Sequence, residues 1–97
     1  MVIWTEPART DLRSIHDFIA RDSKFYAKKV VQSIREKTDI LEKLPSIGKK
    51  VAEIDDENIK ELSLYSYRII YETRSEKVFV LAVVHKRRDL IAEDLGN

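Results

Sequence analysis

The spacing of the apolar residues changes once along this chain, and that change limits the fold more than any other feature. As far as Leu44 they recur at helical intervals, and after the breaker segment LPSIGKK (44–50) they alternate or run together as in strands. In the first part, VIWT (2–5) is a short run of β-formers and Pro7 suits the opening turn of a helix. Ala8, Leu12, Ile15 and Ile19 then form one stripe, with Phe18 beside it. Asp22 and Ser23 offer capping oxygens to a second helix from about Lys24 to Lys43, whose apolar side carries Ala27, Val30, Val31, Ile34, Leu41 and Leu44. The short connection predicts an antiparallel helix hairpin. Trp4 and Phe18 are expected in the core and His16 on the surface.

In the second part, VAEI (51–54) reads as a weak strand, and IKELSLY (59–65), YRIIYET (67–73) and VFVLAVV (78–84) as strong ones. A two-residue loop at Tyr65-Ser66 sets Leu64 opposite Tyr67, Ser63 opposite Arg68 and Leu62 opposite Ile69. One face of that pair then carries Leu62, Leu64, Tyr67, Ile69 and Tyr71, and the other the half-polar set Glu61, Ser63, Arg68, Ile70 and Glu72. The last strand is apolar on both faces and belongs at the centre of the sheet. The expectation is one α+β domain over residues 1–97, an antiparallel twisted sheet packed on one face by an N-terminal helix hairpin, in the order β-α-α-β-β-β(β).

Composition narrows the chemistry. The 97 residues include no cysteine, which excludes disulfides and thiol-based metal sites, and His16 and His85 alone make no ligand pattern. No metal or cofactor is expected. Glu53, Asp55, Asp56 and Glu57 form an acidic run without metal-ligand spacing, expected to be solvated. A net charge of +1 argues against a general nucleic-acid binder. No apolar stretch approaches the roughly 20 residues of a bilayer span, and the start lacks a signal-peptide pattern, so a cytoplasmic protein is expected.

Charge collects instead at His85-Lys86-Arg87-Arg88, directly after the most apolar strand. Three readings suit this corner: a solvated strand end that discourages aggregation, a docking patch for phosphate or an acidic surface, or a reactive centre that uses His85 as acid or base. Arg68, within an apolar strand, needs an ion pair with Glu61 or Glu72, or an acidic target. Tyr65, in a turn, is a candidate for an exposed contact.

The ordered set W-T-x-x-A-x-x-D-L, I-A-R-D-S-x-x-Y-A, L-P-S-I-G-K, I-K-E-L, Y-R-I-I-Y-E and V-L-A-V-V-H-K-R-R-D-L resembles the RelE/ParE superfamily of bacterial toxins over nearly the whole chain. The resemblance implies the fold derived above and a toxin of a type II toxin–antitoxin system, of the kind associated with plasmid stabilisation. It would be neutralised in a hetero-oligomer by a cognate antitoxin that lays a helix across the hairpin and adds a strand to the sheet edge. RelE-like members cut messenger RNA on the ribosome with basic residues of the open sheet face, whereas ParE-like members poison DNA gyrase. The family arginines fall at Arg68 and Arg87, but the two nuclease lysines fall at Ile59 and Glu61, and the nuclease tyrosine near Glu93. A carboxylate at Glu61 would oppose substrate phosphate and neutralise Arg68, which favours the ParE-like branch. The resemblance therefore implies a gyrase poison that inhibits growth, with Arg68, Lys86, Arg87, Arg88 and Tyr65 as candidate target-binding residues. The alternatives are a ribosome-dependent endoribonuclease using Arg68, His85 and Arg87, and a non-toxic antitoxin-binding remnant.

Overall fold

The computed structural model describes residues 1–88 and residue 90. The order is β1 (Val2–Trp4), α1 (Glu6–Ala20), α2 (Lys24–Asp39), β2 (Lys49–Lys50), β3 (Ile59–Leu64), β4 (Tyr67–Arg74) and β5 (Lys77–His85). One sheet runs β1-β5-β4-β3-β2, with both helices on one face. Its hairpins are antiparallel, but β1 lies parallel to β5, Val2 beside Val78, so the sheet is mixed. The last strand is central, as its two apolar faces require.

Each helix starts where a hydroxyl can hold it. Thr5 accepts the Ala8 N–H, and its own hydroxyl donates to the Val80 carbonyl at 2.8 Å, so the cap of α1 is fastened to β5. Ser23 accepts the Tyr26 N–H at 3.1 Å and starts α2. That helix ends four residues before Lys43. Thr38 donates back to the Arg35 carbonyl at 2.7 Å, a local bond that competes with the helical ladder, and the chain tightens into a 3₁₀ turn over Ile40–Glu42. The turn brings Leu41 into the core.

The β3–β4 register is the expected one, Leu64 facing Tyr67 and Leu62 facing Ile69. The helix-side core gathers Ala8, Leu12, Val30, Ile34, Leu41, Leu62, Ile69, Tyr71, Val78, Val80 and Val83. Trp4 is half-buried against it, but Phe18 is not core: it is 67% exposed, because Ile15 and Ile19 take the inward stripe and leave Phe18 to the side. His16 is half-buried, its ring bonded to Asp17.

The other sheet face differs from the expectation. It carries a second apolar cluster of Val51, Ile54, Ile59, Ile70, Leu81, Ala82, Val84 and Leu90. A bulge causes part of this: Ile70 pairs with Ala82 and Tyr71 with Val80, leaving Leu81 as the extra residue of β5. Leu81 and Ala82 both join the second cluster, and the alternation of β5 changes phase between Val80 and Val83. Val51–Ile54 is a turn rather than a strand, closed by Ile54 N–H to Val51 O at 3.1 Å, and it folds its two apolar side chains onto this face. The short strand lies just before it, at Lys49–Lys50.

Candidate target-binding corner

At the end of β5 the backbone leaves the sheet with Lys86 N–H bonded to the Ser66 carbonyl at 2.8 Å. His85, Lys86, Arg87 and Arg88 are all exposed. The His85 ring stands edge-on to Tyr67, its pairing partner on β4, with centroids 6.3 Å apart. Its Nδ1 accepts the Arg87 N–H at 3.2 Å, so the proton of the neutral ring sits on Nε2. Arg88 N–H bonds the His85 carbonyl at 3.1 Å, closing the turn. His85 thus caps a turn that presents the basic side chains.

Arg68 is placed differently. It is 7% exposed and faces the non-helix side of the sheet. Its Nε and Nη2 donate to the two oxygens of Glu61 at 3.0 and 2.9 Å. Its Nη1 and Nη2 donate to those of Glu53 at 2.7 and 2.8 Å, and Nη1 also donates to the Arg88 carbonyl at 2.9 Å. A guanidinium has five N–H donors, and five bonds are made. Glu53 in turn accepts the Leu90 N–H at 3.1 Å. The cluster therefore fastens the chain on either side of Asp89 to the sheet, just beyond the basic run.

The electrostatics follow from these bonds. The Arg68 guanidinium, and after it the backbone N–H groups of Glu53 itself and of Leu90, hold the Glu53 carboxyl at about 2, well below its usual range, while the two carboxylates push the Arg68 pKa up. Glu53 is the partner of Arg68 that sequence reasoning missed. It stood in a loop-like acidic run, and nothing in the local pattern distinguishes it from Asp55 or Glu57. Of the two expected partners of Arg68, Glu61 is one; Glu72 pairs instead with Arg74 at 2.6 Å.

The shallow depression above Arg68 is lined by Lys49, Ala52, Glu53, Glu61, Ser63 and Lys86, so two carboxylates stand among its three cations and both of them bind Arg68. Tyr65, 48% exposed, does not project freely: its hydroxyl donates to Ser33 Oγ on α2 at 3.2 Å, and its backbone takes φ 55° to make the turn. The structure thus brings His85, Lys86, Arg87 and Arg88 together, sets Arg68 behind them as an anchor, and leaves Tyr65 at the β3–β4 turn against α2. Among the described residues no group of side chains could hold a metal ion, and no helix is long and apolar enough to cross a membrane.

The sequence profile of the ParE toxin of the type II toxin–antitoxin system parDE matches residues 2–90. The chain belongs to the ParE toxin family. In three dimensions it is similar to a chain of the chromosomal ParDE toxin–antitoxin system from P. aeruginosa, with a TM-score of 0.73, 21% identity, and coverage of 87% of this chain and 92% of that one. At that identity the likeness bears on the fold. No curated protein matches the sequence.

Proposed function

We propose that this ParE-family toxin inhibits growth by binding DNA gyrase in the cytoplasm and trapping its cleaved DNA complex, and that a cognate antitoxin neutralises it. One observation carries the choice of gyrase over messenger RNA: every donor of Arg68 is already engaged by Glu53, Glu61 and the Arg88 carbonyl. A phosphoryl-transfer site needs cations converging on the developing dianion. Here the open face offers its central arginine already neutralised by two carboxylates. His85, the acid–base candidate, spends Nδ1 on the Arg87 N–H. The exposed Lys86, Arg87 and Arg88 side chains suit electrostatic contact with a protein or with DNA held by one.

Purified protein tested with gyrase and supercoiled plasmid decides this. The expected result is loss of supercoiling with accumulation of cleaved complexes, and no cut messages when the chain is added to a translating extract. Codon-linked cuts would move the function to the ribosome, and normal growth under strong induction would leave only an antitoxin-binding remnant.

A further inference from the structure

The basic turn is held at both ends by bonds to its backbone. Where it leaves β5, Lys86 N–H bonds the Ser66 carbonyl at 2.8 Å, and the N–H groups of Arg87 and Arg88 return to the ring and the carbonyl of His85. Where it ends, Arg68 Nη1 holds the Arg88 carbonyl at 2.9 Å and Glu53 holds the Leu90 N–H at 3.1 Å, with the Leu90 side chain buried in the second apolar cluster.

Glu53 acts twice in the second hold. Its carboxylate binds Leu90 directly, and by gripping Nη1 and Nη2 it fixes the guanidinium plane whose Nη1 meets Arg88. Glu61 fixes the same plane through Nε and Nη2. Three bonds therefore converge on the two oxygens of Glu53. A neutral amide in its place has a single acceptor oxygen and turns an NH2 group towards the guanidinium.

We infer that Glu53 and Arg68 are positioning residues of the basic corner: their ion pair fixes the course of the chain between Lys86 and Leu90, so that the side chains of Lys86, Arg87 and Arg88 meet a target as one set. The inference rests on the reading that this corner meets a target, and it assigns to that contact a residue whose charge has the wrong sign for it. Arg68 acts through the turn rather than on the target, because it is buried with its donors engaged.

The sign of Glu53 separates positioning from simple electrostatics. If the corner worked by its charge alone, neutralising a carboxylate beside it would strengthen its hold on an acidic surface or on phosphate. Positioning requires the reverse: E53Q makes the corner more positive and should still weaken its action. R68K keeps the charge but offers three donors from one point instead of five from a planar fork. It cannot hold Glu53, Glu61 and the Arg88 carbonyl in one geometry, and should lose action too.

The test compares E53Q, R68K and Y71F with the parent chain. Tyr71 belongs to the helix-side core, so Y71F lowers global stability away from the corner. Relative to core amides, Arg88 and Leu90 should exchange about tenfold faster in E53Q, as expected when a bond to a charged group is lost, and should keep their parental ratio in Y71F. Plating efficiency under induction, at matched levels of folded protein, should rise above the parent's in E53Q and R68K and stay at the parent's in Y71F. Unchanged relative exchange at Arg88 and Leu90 in E53Q, growth inhibition by E53Q or R68K equal to or stronger than the parent's, or the same loss in Y71F would overturn the inference. A parent chain that inhibits growth and leaves gyrase untouched removes the proposed target but not the positioning. If the parent does not inhibit growth, the toxin reading fails and the exchange ratio alone decides the positioning.

Discussion

Glu53 and Arg68, fifteen residues apart in sequence, meet fork to fork, with Oε2 2.7 Å from Nη1 and Oε1 2.8 Å from Nη2. The pair makes stability depend on acid. Its folded carboxyl titrates at about 2 against a usual 4.5, so its contribution is complete above the usual value and disappears as pH falls through the window between them. Partial exposure of Glu53 screens the interaction, so about 1–3 kcal/mol is expected. Urea titrations from neutral pH to about pH 2.5 should show E53Q less stable at neutrality and flatter in acid than the parent chain.

Removal of Arg68 should be costlier than removal of either acid. Arg68→Ala leaves Glu61, only 6% exposed, as an uncompensated buried charge, for which about 3–5 kcal/mol is expected. The double replacement R68M/E61L removes both charges and should recover much of the loss. Denaturant midpoints of the two single variants and the double one form the cycle that checks this.

The basic side chains should separate from the anchor in the same experiments. Arg87→Ala with Arg88→Ala should abolish most growth inhibition while leaving the melting temperature within a few degrees, because both side chains are exposed. His85→Gln should matter less than that pair. Plating efficiency under induction, read beside thermal melts, distinguishes lost contact from lost fold.

Tyr71 holds the segment after the helices. Its hydroxyl donates to the Pro45 carbonyl at 2.8 Å and accepts the Gly48 N–H at 3.0 Å. A Cβ on Gly48 would lie 2.6 Å from both that hydroxyl and the Glu61 carbonyl. Gly48→Ala should therefore cost about 1–3 kcal/mol through forced displacement, and Tyr71→Phe about 1–2 kcal/mol through two orphaned backbone groups. Differential scanning calorimetry of both variants tests these two losses.

Asp11 caps the stretch of β5 that β1 does not reach, accepting the Val83 N–H at 3.0 Å. Burial raises its pKa, so the folded state favours its proton, and the aspartate detracts from stability as pH rises through the carboxylate range. Asp11→Asn keeps an acceptor without the charge and should be neutral or slightly stabilising at pH 7. Asp11→Ala should lose about 1–2 kcal/mol and speed hydrogen exchange at the Val83 amide.

The β3–β4 hairpin was legible in the sequence because a two-residue loop and a period of two leave only one register. The centrality of β5 was legible from its two apolar faces. The second apolar cluster was not, because Leu81 changes face through a bulge that costs no distinctive residue, and Val51 and Ile54, three apart, match no strand. Phe18 was misplaced because a helix stripe has margins, and the residue at the margin faces outward here. At the candidate site the partner Glu61 could be read from cross-strand register, whereas Glu53 could not. It comes from a loop, and loop geometry sets no pairing rule.

Among the described residues the strand at the middle of the sheet is the last one in chain order, and both of its neighbours wait for it: Val2 for Val78, and Ile69 for Val83. During synthesis the hairpin helices leave the ribosome long before the surface they cover exists. A chain interrupted ahead of residue 77 has neither a closed sheet nor the cationic turn. Such fragments leave the helices without the surface they cover, so packing of the hairpin is completed only once β5 has been made.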